Sequence, residues 1–229
     1  MTLPAPLAPE EFAAQGAGRV IVDVRDADSF ACGHLPGSGH VALESFTERR
    51  AELPPRGMPV LVVACDAARA DAAARALAAL GFTDVRWLDA PPDAVPNVAQ
   101  VRDEAARLWR PSPFLVDVLP RLPRVGRALD LASGSGRDAV WLALHGLETE
   151  AWDIDALAIG RARALAARSG VVLGTLICDL EQTEAPLPQS RWDVIVCFRF
   201  LHRPLLPRIA RALAPGGHLV YETYRRGQE

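Results

Sequence analysis

Apolar residues in the first part of the chain come in short Val-rich runs separated by polar turns. "RVIVDVR" (19–25), "PVLVVAC" (59–65) and "DVRWLDA" (84–90) have the length and β-branched content of buried strands. Between the last two, "AARADAAARALAALGF" (67–82) changes to a helical pattern. It is Ala-rich, carries Leu77 and Leu80 on one side, and has Gly81 as a stop. "LDAPPDAVPN" (88–97) then breaks the pattern, because its prolines can continue neither a helix nor a central strand. The expected domains are therefore 1–92 and 93–229.

Beyond the seam, "VAQVRDEAARLWR" (98–110) and "PFLVDVLPRL" (113–122) are expected to be helices. A regular alternation follows: "RALDLA", "RDAVWLALHG", "LETEAWD", "ALAIGRARALAARSG", "VVLGTLICD", "WDVIVCFR", "LLPRIARALAPGG" and "HLVYETY". That order predicts an α/β fold, a mostly parallel sheet with helices on both faces. Ligands of such sheets sit at the carboxyl ends of the strands, where the connections change direction.

Composition narrows the chemistry. The chain has 229 residues, half of them apolar, and a net charge of −3. Neither nucleic acid nor an anionic membrane is an expected partner. No apolar run reaches the roughly 20 residues of a membrane helix. The start, "MTLPAPLAPEEF", has no basic segment followed by an apolar one, so the expected location is the cytoplasm. Cys32, Cys65, Cys178 and Cys197 form no C-x-x-C pair, which fits reduced thiols; all but Cys65 are expected to be buried small apolar residues. There is no lysine, so neither a Walker-type phosphate loop nor a lysine Schiff base can be built.

"DLASGSGRDAV" (130–140) is the stretch that carries candidate chemistry. Gly134-Ser135-Gly136-Arg137-Asp138-Ala139 fits G-x-G-x-x-[GA], which a dinucleotide pyrophosphate can use, and which a helix-entry turn without a ligand also satisfies. Gly134 would permit the tight turn, and Gly136 a close backbone approach to the ligand. The neighbouring acids favour another ligand. Asp130, Asp153 and Asp179 each end one of three successive strands, so all three are expected to rim one crevice. A pyrophosphate there would meet like charge, at a cost on the order of 1–4 kcal/mol. S-adenosyl-L-methionine offers an ammonium, a sulfonium and an adenine amine, and carries no phosphate. Asp153 lies 17 residues past Gly136 (153 − 136) and would take the ribose hydroxyls. Asp179 would accept from the adenine amine, with Leu180 beside the ring, and Asp130 would face the amino-acid end.

With these motifs the second half resembles the class I S-adenosylmethionine-dependent methyltransferases, most of all the small tellurite-resistance type. "DLASGSGRD" is similar to their glycine motif, with Ala132 where Gly is also common, and "WDID" and "CDLE" are similar to the second- and third-strand motifs. The resemblance implies a Rossmann-like, doubly wound sheet and adds Ala132, Ser133, Ile154 and Phe198 to the cofactor contacts. It also implies two further strands after "HLVYETY", which the sequence lacks; the expectation is a truncated sheet whose last strand is open to self-association. Methyl transfer from a sulfonium is an in-line displacement that asks the protein mainly to align the reactants and exclude water. A small acceptor such as a sulfur, selenium or tellurium species would enter by "CFRFLHRP" (197–204). There Phe198 and Phe200 would form an apolar wall, Arg199 and Arg203 would hold an anion, and His202 would take a proton or simply pack locally.

The first half, through "DVR" and "GHLPGS", resembles rhodanese-like sulfurtransferase modules from about Leu7 to Ala90. The resemblance places Cys65 as the persulfide-bearing cysteine. Its loop departs from the usual C-x-x-G-x-R: it has no Gly, Arg69 is displaced by one position, and Asp66 puts negative charge beside the sulfur. Asp66 is expected to raise the thiol pKa and oppose anion binding. Two other readings stay open: a sulfurtransferase whose second half is a scaffold, and a non-catalytic cofactor-binding or regulatory protein.

Overall fold

The computed structural model describes residues 4–16, 18–182 and 187–224. The chain divides into two compact units, Met1–Arg110 and Pro111–Glu229.

In the first unit, β1 (Ala5–Leu7), β2 (Val20–Asp23), β3 (Gly39–His40), β4 (Val60–Val63) and β5 (Val85–Leu88) form a parallel sheet in the order β1-β5-β4-β2-β3. Every residue from Val60 to Ala64 is fully buried, as a central strand with both faces covered requires. The short helix α1 (Ala27–Cys32) follows β2, and α2 (Ala67–Ala79) follows β4 and packs Ala70, Ala73, Ala74 and Leu77 into the core.

The helix expected over 98–110 does not form, and the unit extends past residue 92 to Arg110. Tertiary pairing overrides the local helical pattern there. Val101 exchanges both backbone hydrogen bonds with His34, the Ala106 amide donates to the Ser38 carbonyl, and Leu108 enters the core. A side chain at Gly39 would collide with Leu108, so the strand gives up its Cβ to admit this segment.

In the second unit, β6 (Arg127–Leu131), β7 (Glu148–Asp153), β8 (Gly174–Ile177), β9 (Trp192–Phe198) and β10 (Leu213–Glu222) form a parallel sheet in the order β10-β9-β6-β7-β8. The helices α3 (Pro113–Val118), α4 (Arg137–Leu144), α5 (Ala156–Arg168) and α6 (Leu206–Ala212) complete it. The expected helix over 113–122 is shortened: Pro120 has no N–H for an α-helical bond, and the chain tightens into a 3₁₀ turn at Leu119–Arg121. Leu129, Leu131, Ile195 and Cys197 face one layer of core, and Ala128, Val194, Val196 and Phe198 face the other. The sheet is thus buried on both faces, with β10 and β8 at its edges. The chain runs from β6 outward to β8, then returns across β6 to β9, so the strand order reverses between β6 and β9. Among the described residues, no helix is long and apolar enough to cross a membrane.

Candidate functional site

At the carboxyl edge of this second sheet lies a crevice of about 380 Å³, lined by Ala132, Asp153, Ile154, Cys178, Asp179, Leu180, Glu181 and Phe200. These residues come from the ends of β6, β7, β8 and β9, so the crevice straddles the reversal in strand order, where doubly wound sheets hold ligands.

Its floor is the turn between β6 and α4. Ala132 adopts φ +56°, Gly134 φ +52° and Gly136 φ +73°. The Gly134 amide donates to Asp153 Oδ2 at 2.7 Å, and the Ser133 amide donates to the Trp152 carbonyl at 3.0 Å, so β7 holds the turn in place. The other Asp153 oxygen accepts from the Asp155 amide at 2.9 Å. Each of these carboxylate oxygens keeps a further lone pair for a ligand hydroxyl. The Ser133 hydroxyl is buried and has no hydrogen-bond partner among the described residues. Gly136 does a different job from the one expected: a Cβ there would lie 2.5 Å from the Ala162 Cβ, so the missing side chain admits α5 against α4 rather than a ligand.

Asp179 accepts from the Glu181 amide at 2.9 Å and from Gln182 Nε2 at 3.1 Å, and these bonds hold its carboxyl below the usual range. His202 is half-buried and near enough to Asp179 that a proton on its ring would lower the carboxyl further. Ile154 is 64% exposed and forms the outer lip of the crevice. Three carboxylates therefore line the crevice, and among the described residues no basic side chain lines it.

Asp130 differs from the expectation. It is 2% exposed and does not line the crevice; its Oδ2 accepts from the Ala139 amide at 3.1 Å. It thereby caps α4, whose own N-cap, Gly136, has no side chain to offer. Burial, reinforced by the neighbouring Asp138, pushes the Asp130 carboxyl well above the usual carboxylate range. Asp138 is raised too, chiefly by burial, and accepts from the Ser112 amide at 2.6 Å.

Phe198 also departs from its assigned place. It lies in the core with Leu115, Val194 and Val196, so of the two phenylalanines expected on the wall only Phe200 lines the crevice. Arg199 between them takes φ +60° and turns the chain. The Tyr221 hydroxyl donates to the Phe200 carbonyl at 2.5 Å and fixes the turn. Arg199 and Arg203 are exposed and, like His202, are not among the lining residues. Cys178 and Glu181 line the crevice without having been singled out; the Asx-type turn that Asp179 opens in "CDLE" is the signal that marks Glu181.

In the first unit Cys65 is exposed at the end of β4, directly before α2. Its thiol is raised by partial burial and then by Asp66, to which Sγ donates at 3.2 Å. Asp66 is the N-cap of the helix and accepts from the Arg69 amide at 2.8 Å. The Arg69 guanidinium is held by both oxygens of Glu44, at 2.6 and 2.8 Å. Of the other cysteines, Cys32 is exposed, against expectation; Cys178 is half-buried; Cys197 is buried, and burial with the charge of Asp130 pushes its thiol up to about 12.

Comparison with known proteins assigns both units. The methyltransferase-domain family matches residues 128–217, and the rhodanese-like-domain family matches residues 8–90. The thiosulfate sulfurtransferase GlpE of Pseudomonas putida is 39% identical over 74 residues, which are 31% of this chain and 64% of that protein. The ribosomal protein L11 methyltransferase of Thermus thermophilus is 38% identical over 96 residues, 41% of this chain and 37% of that one. The chain thus spans less than two thirds of either. Among solved structures, an S-adenosylmethionine-dependent methyltransferase from Mesorhizobium loti superposes with a TM-score of 0.41 at 28% identity, covering 48% of this chain and 52% of that one. The chain thus carries a rhodanese-like domain over residues 8–90 and a methyltransferase domain over residues 128–217.

Proposed function

We propose that the C-terminal unit binds S-adenosyl-L-methionine in the crevice and transfers its methyl group to a small soft nucleophile, a sulfur, selenium or tellurium species. The observation that carries this reading is the composition of the crevice wall: Asp153, Asp179 and Glu181, with no basic side chain among the described residues, at the reversal of strand order. Such a wall opposes a pyrophosphate and accepts a cationic nucleoside rich in donors.

The residues present fit that cofactor. Asp153 keeps lone pairs for ribose hydroxyls beyond its two backbone bonds. Asp179 is held ionised by local donors and can accept an amine, with Leu180 and Phe200 offering apolar surface to a base. The buried Ser133 hydroxyl, without a partner among the described residues, can pair with a polar ligand group. When bound, the cofactor supplies a methyl group already activated by its sulfonium. The chain's part is to orient it and exclude water, which needs no acid–base pair when the acceptor is a thiolate or selenide. Asp130 supports the turn from behind by capping α4. Arg199, His202 and Arg203, on the segment after β9, are the residues we assign to the acceptor side.

Isothermal titration of the protein with S-adenosylmethionine and, separately, NADH tests the reading. Heat with the first and none with the second is expected. Binding of NADH alone, or of neither, sinks it. Supplying thiols, selenite and tellurite with labelled cofactor then tests the acceptor class.

A second activity fits the N-terminal unit: Cys65 carries sulfane sulfur as a persulfide. Exposure of Cys65 at the head of the 13-residue α2, together with the family match, supports it. Loss of the added sulfur in Cys65→Ser is the check.

A further inference from the structure

We infer that the Cys65 site takes sulfur from an amine-bearing organic persulfide and discriminates against dianionic donors such as thiosulfate. This rests on the reading of Cys65 as a sulfur carrier and names the donor class of that site.

Three observations converge on it. First, Cys65 Sγ donates to Asp66 Oδ2 at 3.2 Å, so a carboxylate lies beside the atom a donor must reach. Second, Asp66 Oδ1 already accepts the Arg69 amide at 2.8 Å. The helix end that could have offered this donor to an anion spends it on the protein's own carboxylate. Third, the Arg69 guanidinium is clamped by Glu44 through both carboxylate oxygens and also reaches the Val24 carbonyl at 3.4 Å. The cation nearest the sulfur is thereby offset. Asp26 stands close enough to Glu44 for its charge to act on that carboxyl. Beside Cys65, then, stand the carboxylate of Asp66 and an Arg69 whose charge Glu44 offsets, and the excess is negative.

That surround suits an ammonium group. Two negative charges on a donor would be repelled, by on the order of 1 kcal/mol per charge pair at 4 Å in water-like surroundings and more with partial desolvation. A net-neutral amine persulfide loses nothing by this and gains an ion pair.

The transfer balances without an added oxidant or reductant. Sγ attacks the terminal sulfur of R–S–SH. The Sγ–S bond forms as the bond between the two donor sulfurs breaks, the electron pair leaves on RS⁻, and that thiolate takes up the Cys65 proton. The net change is Cys65–SH + R–S–SH to Cys65–S–SH + R–SH.

The test uses the full chain, with cysteamine persulfide and thiosulfate as donors and peptide mass spectrometry to locate the added sulfur at Cys65 over time. The expected result is faster loading from cysteamine persulfide, and loading from thiosulfate that speeds up as salt rises and screens the repulsion. Asp66→Asn keeps a good helix cap while removing the charge, and Glu44→Gln frees Arg69. In each variant the ratio of thiosulfate to persulfide loading should rise on the order of tenfold, and the salt dependence should flatten. Thiosulfate loading the wild type as fast as the amine persulfide, or a ratio unmoved in both variants, overturns the inference. Absence of sulfur on Cys65 from either donor instead removes the carrier reading itself, and the inference with it.

Discussion

Phe198 and Phe200 are two residues apart, yet they lie on opposite sides of the same sheet. Phe198 ends β9 in the core layer with Val194 and Val196, whereas Phe200 packs toward Leu131 and Cys197 and lines the crevice. In an unbroken strand, side chains two apart share a face. The left-handed turn at Arg199, tied down by its amide bond to the Glu222 carbonyl at 2.8 Å, reverses the parity.

The two phenylalanines should therefore separate stability from binding. Phe198→Ala opens a core cavity and is expected to cost about 3–5 kcal/mol in chemical denaturation. Phe200→Ala, at the crevice wall, should cost markedly less stability but weaken S-adenosylmethionine binding by calorimetry. The reverse pattern would put the crevice on the wrong face of β9.

The glycines of the turn make a second pair. Gly134 needs its φ of +52° but has open space where a Cβ would go; at Gly136 a Cβ meets Ala162 at 2.5 Å and φ is +73°. Gly134→Ala should cost about 1–2 kcal/mol from backbone strain alone. Gly136→Ala adds overpacking between α4 and α5, a further cost of about 1–3 kcal/mol. Thermal melts of the two variants should rank in that order.

Asp153 links the turn to the crevice, so the choice of substitution matters. Asp153→Asn keeps an acceptor for only one of the two amides of Gly134 and Asp155, and Asp153→Ala keeps neither. Both should weaken S-adenosylmethionine binding, Asn by on the order of tenfold and Ala by more, following the charge-assisted bonds removed. Unchanged affinity in both would remove Asp153 from the cofactor site.

Much of this was legible in the residues, and the rest failed for identifiable reasons. The Val-rich runs and the alternation after residue 127 marked both parallel sheets, because strands buried on both faces read as continuous apolar segments. Asp153 and Asp179 were found because a strand end fixes where a side chain emerges. Asp130 met the same criterion yet turned inward, since the glycine N-cap of α4 left an amide for it to satisfy. Residues 98–110 have helical composition but are held extended by His34 and Ser38, partners more than 60 residues away that no local pattern reveals. Phe198 is the one placed wrongly, on the wall beside Phe200, because a positive φ at a non-glycine residue leaves no trace in the sequence.

Asp130 also gives the second unit a pH signature. Burial, then Asp138, raises its folded-state pKa well above the unfolded value of about 3.9. An acid raised in this way binds its proton more tightly when folded. Its contribution is fully present below the unfolded pKa and is lost as pH climbs through the raised folded pKa. Above that point the protein holds a buried carboxylate against Asp138. Asp130→Asn keeps an oxygen acceptor for the Ala139 amide and removes the titration. The melting temperature of the variant minus that of the wild type should therefore grow as pH rises from about 4 toward 8. Asp26, Glu44, Asp66 and Asp179 have lowered pKa values and give the opposite slope, but they are common to both proteins and cancel in the difference. A difference that stays flat with pH would mean that the Asp130 carboxyl ionises in the folded protein as it does in the unfolded chain.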